Sequence, residues 1–222
     1  MSDPKQKLSE EEIRDAGLDD WRQVWAVLKA RFRTGDFSTG LALVNRIGAA
    51  AEEANHHPDV TLTYPEVTVT LTSHDVGGLT SRDLDLARTI SGYAAEAGAA
   101  ADVSGLTRLE LGLDTARGAE LSPFYAALLG AQEADGELRD PSGQVPTVWW
   151  QEPDADHEPA AGEPDQRWHL DVWVPHDEAE SRLQAVLDAG GRLVDDSAAP
   201  SFWVVQDAEG NRSCICTPLT RG

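Results

Sequence analysis

Residues 52–83 read EEANHHPDVTLTYPEVTVTLTSHDVGGLTSRD, and this stretch decides how the first half of the chain folds. Val60, Leu62 and Tyr64 alternate with polar residues, as do Val67, Val69 and Leu71, the period-two signature of half-buried strands. The spacing predicts two strands joined at Pro65-Glu66. An antiparallel hairpin turning there pairs residues whose numbers sum to 131: Tyr64 with Val67, Leu62 with Val69, Val60 with Leu71, and His57 with His74. Facing residues lie roughly 5 Å apart. The open end of the hairpin is thus expected to gather His57 and His74, with His56 carried alongside.

The flanking segments read as helices and strands. Ser9 and Glu12 form a capping box for a short helix over residues 8–16. Trp21–Thr34 reads as one or two strands, with a helix as the alternative. Asp36 caps a helix with Phe37, Leu41, Val44, Ile47 and Ala51 on one face, ending near Asn55 because Pro58 cannot continue it. A last helix runs from Leu84 to about Ala97, opened by Thr80 and Asp83 as a second capping box. This order implies an α+β domain over residues 1–98, with an antiparallel sheet and helices on one face. Small residues over 99–105 read as a linker.

A new pattern starts at Leu106. LTRLELGLDT, VPTVWWQEP and RWHLDVWVP read as strands, AELSPFYAALLG and DEAESRLQAVLDAG as helices. SFWVVQDAEGNRSCICTP reads as a hairpin turning over Asp207–Asn211, and DADHEPAAGEPDQ as an acidic loop. An offset of 60 aligns Leu109 with His169, Ala119-Glu120 with Ala179-Glu180, and Gly130 with Gly190, which predicts two copies of a strand-helix-strands unit over residues 106–222.

Composition narrows the function. The formal net charge is −21, and both halves contribute: 10 basic against 17 acidic residues through Asp102, and 8 against 22 after it. A nucleic-acid partner needs basic surfaces that release counterions, so it is disfavoured, as is an anionic membrane. No apolar run has membrane-spanning length and the N-terminus has no signal core. Cys214 and Cys216 stand too close for an ordinary disulfide, which fits a reducing cytoplasm.

Glu52, His56-His57-Pro58, Tyr64, His74 and Asp83, within NHHPD and LTSHDVGGLTSRDLDLA, resemble the spaced signature of the pterin-4a-carbinolamine dehydratase family over about residues 8–98. The resemblance implies an α+β fold with a four-stranded antiparallel sheet. It also implies a homo-oligomeric hydro-lyase that takes 4a-hydroxytetrahydropterin to quinonoid dihydropterin in tetrahydrobiopterin recycling, with an aromatic amino-acid hydroxylase as candidate metabolic partner. The pterin is the substrate, and no metal or organic cofactor is implied. Carried over are His56, His57 and His74 as catalytic residues, with Pro58, Ser73, Asp75, Val76 and Asp83 toward the substrate. Imidazole titrates near 6.5, so it can protonate a leaving hydroxyl or accept the N5 proton at neutral pH. His57 and His74 take the acid/base roles in this reading, and His56 orients the pterin. Asp83 has a second reading, as a helix cap alone. A non-catalytic pterin-binding or regulatory protein is the rival from another class.

FYAALLG, HLDVWV, LDAGG and VVQDAEGNRSCIC resemble the vicinal-oxygen-chelate superfamily of glyoxalase and bleomycin-resistance relatives. That implies two βαβββ modules around a cleft. Metal-dependent members draw His/Gln and Glu ligands from both modules, which keeps a metal-dependent lyase or dioxygenase-like enzyme as a further alternative. Here His169 sits at a ligand-like position, Leu109 at the place the repeat sets against it, and Glu152 offers one carboxylate. One histidine and one glutamate do not complete a site, so no metal is expected. Trp149, Trp150, Trp168, Trp173 and Trp203 read as core and cleft lining, His157 and His176 as solvated.

Overall fold

A computed structural model describes residues 3–153 and 166–220, and His157 lies outside them. The chain forms two compact units, residues 1–106 and 107–222.

In the first unit, β1 (Arg22–Val24), β2 (Val27–Arg33), β3 (Asp59–Thr63) and β4 (Glu66–Leu71) form an antiparallel sheet in the order β1-β2-β4-β3. Three helices accompany it: α1 (Glu10–Arg14), α2 (Phe37–Ala54) and α3 (Ser81–Glu96). Alternation sets the layers. Leu28, Ala30 and Phe32 of β2 face Leu71, Val69 and Val67 of β4, and all six are buried. They share one core with Leu43, Ile47 and Ala50 of α2 and Leu86, Ala87 and Ile90 of α3. Fully burying each larger apolar side chain contributes about 1.5–3 kcal/mol. Gly40 lets α2 lie close to the sheet, since a Cβ there would come 2.6 Å from Leu62 Cδ1.

The expected caps form. Ser9 and Glu12 cap α1 reciprocally, and Asp36 accepts from the Thr39 amide at 2.7 Å, an anionic cap that also suits the helix dipole. Asn55 closes α2 at φ 46°, in the left-handed region that asparagine tolerates.

Two expectations fail. The β3–β4 pairs sum to 129, not 131: Val60 faces Val69, Leu62 faces Val67 and Thr63 faces Glu66, leaving Tyr64-Pro65 as the loop. Pro65, which has no N–H to give a ladder, is placed in the turn. Its carbonyl accepts from the Thr34 amide, the Gly35 amide and the Thr34 hydroxyl, pinning the turn to the end of β2. Continued outward, this register sets Thr72 across from His57. The second failure is the linker. Ala100–Ala101 form β5, paired with Phe32 and Arg33 of β2, and Asp102 binds Arg31 and Arg33.

The second unit holds the two expected βαβββ modules. The first is β6 (Arg108–Asp114), α4 (Gly118–Leu129), β7 (Gln132–Ala134), β8 (Glu137–Arg139) and β9 (Thr147–Gln151). The second is β10 (Trp168–Trp173), α5 (Ala179–Asp188), β11 (Arg192–Asp195), β12 (Phe202–Gln206) and β13 (Arg212–Cys216). One eight-stranded sheet joins them in the order β11-β12-β13-β10-β6-β9-β8-β7, with β10 and β6 antiparallel at the centre. Val172, Ile215, Trp203 and Val205 share a core with Leu183 and Val186 of α5. Among the described residues, no helix is long and apolar enough to cross a membrane.

Candidate functional site

The site of the first unit is built around one buried carboxylate. Asp83, the third residue of α3, is fully buried. Its Oδ2 accepts from the Thr80 amide at 2.8 Å and from the Ser73 hydroxyl at 2.7 Å, and its Oδ1 lies 2.7 Å from His56 Nε2. Proton bookkeeping fixes the directions. Ser73 spends its single proton on Asp83, so Thr80 donates to Ser73 across their 2.8 Å contact, and the Arg82 amide donates to Thr80. Every neighbour of Asp83 is therefore a donor, and His56 must give Nε2–H. The neutral ring is left with Nδ1 as its acceptor.

Local folding delivers these groups. The left-handed Asn55 ends α2 and lets the His56 amide reach back to the Ala51 carbonyl at 3.0 Å, turning the imidazole inward, where it is buried. Ser73 pairs with Gly78 in an isolated bridge, and the 73–78 turn between them bends through Gly77 at φ +61°. Asp83 thus clasps two backbone segments at once, and the next residue on each is a histidine: His57 after His56, His74 after Ser73. Both are exposed, and His57 Nε2 lies 3.3 Å from Glu52 Oε1. Asp75 is held by Arg82 at 2.7 Å and Lys5 at 3.2 Å, and the Arg82 hydrogen bond foremost lowers its pKa to about 2.

The expected residues therefore divide. His57, His74 and Asp75 reach solvent, Pro58 and Val76 are half-buried, and His56, Ser73 and Asp83 form the interior support. Among the described residues, no hydrogen bond links the three imidazoles, and the facing pair of His57 and His74 is replaced by the common clasp on Asp83. Asp83 does cap α3, completing the box with Thr80. Its bond to His56, 27 positions away, has no local sequence signal.

The second unit carries a polar cluster on the sheet face opposite α5. Residues that face each other across paired strands share a face. Asp171 faces Glu110 and His169 faces Gly112, whereas Leu109 faces Val172 on the other side. The offset of 60 thus matches Leu109 to His169 across opposite faces. Asp171 also pairs with Cys214 of β13. His169 Nδ1 lies 3.2 Å from Asp171 Oδ1, Trp149 Nε1 donates to Asp171 Oδ2 at 3.1 Å, and Trp173 Nε1 donates to Glu110 Oε2 at 3.0 Å. Asp171 is the main cause that raises the His169 pKa, while burial raises that of Glu110. The Cys216 thiol is pushed up, first by its hydrogen bond with Cys214. Glu152, the carboxylate expected from the sequence, is exposed just beyond β9.

Residues 6–93 match the family model described as pterin 4 alpha carbinolamine dehydratase. Relatives provisionally named pterin-4-alpha-carbinolamine dehydratase agree with it. One from Thermosynechococcus vestitus is 47% identical over 83 residues, covering 37% of this chain and 87% of its own length. Another, from Nocardia farcinica, is 44% identical over 85 residues, covering 37% and 90%. The chain belongs to the pterin-4a-carbinolamine dehydratase family. The dehydratase match ends before the second unit, where residues 110–216 match a model described as a glyoxalase-like domain. A solved structure described as transcriptional coactivator/pterin dehydratase from Brucella Melitensis is 32% identical, covers 40% of this chain and 99% of its own, and has a TM-score of 0.39. The dehydratase family is a family of hydro-lyases, and of its signature residues here His56 is bonded directly to Asp83, while His57 and His74 each follow a residue that Asp83 holds.

Proposed function

We propose that the first unit dehydrates 4a-hydroxytetrahydropterin to quinonoid dihydropterin, with His57 and His74 as the proton-transferring pair. The observation that supports this is the Asp83 clasp. One buried carboxylate holds the residue before each histidine, and both imidazoles stand exposed to solvent. One imidazole protonates the leaving hydroxyl at C4a and the other takes the N5 proton, so the ring system loses water with no change in oxidation state. Pro58 and the Ser73–Val76 turn flank the histidines and form the substrate edge. In this reading Asp83 and His56 are positioning residues, because their polar atoms are spent on one another and on Ser73 and Thr80. Turnover in tetrahydrobiopterin recycling, beside an aromatic amino-acid hydroxylase and as a cytoplasmic homo-oligomer, belongs to the same proposal.

The test follows quinonoid dihydropterin formation from authentic 4a-hydroxytetrahydropterin by stopped flow. Loss of a positioned general acid or base removes about 10²–10⁴-fold in rate, so His57→Ala and His74→Ala should each fall in that range. Rates equal to wild type in both variants would refute the assignment.

A further inference from the structure

We propose that Lys5 and Lys7 hold an anionic group, a phosphate ester or a carboxylate, on the C6 side chain of the pterin. The proposal rests on the dehydratase reading of the first unit and names the class of substrate within it. The chain has three lysines, Lys5, Lys7 and Lys29, and two of them lie on the turn that carries His74. In a chain of net charge −21 an anionic ligand is repelled at a distance, so a local cationic group must retain it.

The backbone seats the N-terminal segment on this turn. The Leu8 amide donates to the Leu79 carbonyl at 2.9 Å, and the Ser9 and Glu12 capping box starts α1 directly after it. The Lys7 stem lies on buried Gly78, where an added Cβ would come 3.3 Å from Lys7 Cδ and 3.4 Å from its Cε. An added Cβ at Gly77 would come 3.8 Å from the ammonium nitrogen itself. Gly78 pairs with Ser73, which puts Lys7 beside the segment that presents His74. Lys5 Nζ lies 3.2 Å from Asp75, the residue after His74.

The charges on this turn do not cancel. Asp75 is shared between Arg82 at 2.7 Å and Lys5 at 3.2 Å, and Asp3 accepts the Lys5 amide at 2.9 Å. Against these two carboxylates stand Lys5, Lys7 and Arg82, and the exposed Lys7 ammonium has no carboxylate partner among the described residues. Its stem is packed while its head offers charge to solvent. A lysine ammonium is a compact point charge with three donors, which suits a phosphate or a carboxylate. With the ring at His57 and His74, a side chain extending along the turn toward Gly77 meets Lys7, with Lys5 beside Asp75.

Calorimetric titration of the full-length chain with dihydroneopterin and with dihydroneopterin monophosphate tests this, since neither needs turnover. Exposed ion pairs each change affinity by up to about fivefold, so two lysines should favour the phosphate by about tenfold at low salt. That ratio should fall to about twofold in Lys5→Gln/Lys7→Gln, reverse in Lys5→Glu/Lys7→Glu, and shrink toward one in molar salt. Lys29→Gln, which removes the third lysine from β2, should keep it. A segment that is structural alone would weaken both ligands alike and leave the ratio unmoved. Dihydrofolate, with carboxylates in place of the phosphate, distinguishes the two sources of charge: the anion bound more tightly is the one the lysines serve. Equal affinities in wild type, or a ratio that survives the double glutamine variant, would overturn the proposal and leave the dehydratase reading intact. Binding of neither pterin would overturn both.

Discussion

Replacing Asp83 with asparagine keeps the side chain's size and removes its charge, and the structure sets the consequence. The carboxylate accepts from His56 Nε2, the Ser73 hydroxyl and the Thr80 amide, all at 2.7–2.8 Å. Hydrogen bonds to a charged group contribute about 1.5–3 kcal/mol each and neutral ones about 0.5–1.5, so three such bonds lose roughly 1 kcal/mol apiece. The amide oxygen keeps Ser73 and Thr80, and the amide nitrogen then points at His56 Nε2. That nitrogen must accept, so the imidazole proton moves to Nδ1. The expected loss is about 3 kcal/mol, and each kcal/mol lowers the midpoint of a unit this size by about 4–8 °C. Unfolding of the first unit is best followed by the indole resonance of Trp21, buried against Phe32, because most tryptophans lie in the second unit. Imidazole nitrogen shifts in histidine-labelled protein report the tautomer. Asp85→Asn, on the exposed side of the same helix with Arg88 at 3.1 Å, should change stability by less than about 0.5 kcal/mol. If Asp83→Asn stays within that same margin, and His56 keeps its proton on Nε2, the proton assignment around Asp83 is wrong.

Two further outcomes are expected. Asp75 has its folded pKa lowered to about 2, mainly by Arg82, so its contribution is present above the unfolded value of about 3.8 and is lost as pH falls between about 4 and 2. Asp75→Asn should flatten that part of the urea-midpoint profile of the first unit, and an unchanged acid limb would count against the ion pair. At Gly112 an added Cβ would come 2.3 Å from Cε1 and Nε2 of the His169 ring, so Gly112→Ala should cost about 1–3 kcal/mol and displace the imidazole. Wild-type stability together with an unmoved His169 resonance would contradict the observed packing.

Local chemistry is what the sequence made legible. The caps at Ser9, Asp36 and Thr80, the halt at Asn55 and the two βαβββ modules all rest on neighbours within a few residues or on period. The register of the central hairpin does not. Sums of 129 and 131 both keep Val60, Leu62, Val67 and Val69 on the core face, because a slip of two preserves the face where a slip of one reverses it. The observed register goes with the Pro65 carbonyl holding Thr34 and Gly35, a contact across some 30 positions. The segment read as linker held only two small residues to signal β5. The turn at Asp135-Gly136 was a hairpin signal flanked by strands of three residues each, too short to show alternation. In the second unit, Asp171 stood two residues from His169 in plain view. Its partnership with Cys214 required the parallel pairing of β10 with β13, which no local pattern encodes.

Asp83 also ties the beginning of a helix to the geometry of the site. The carboxylate that takes the Thr80 amide, and so starts α3, is the one that holds His56 and Ser73. Fraying the first turn of α3 therefore releases both histidine-bearing segments together. Opening of the site and opening of that turn are one fluctuation, and the exchange rate of a single amide hydrogen, that of Thr80, measures how often the clasp lets go.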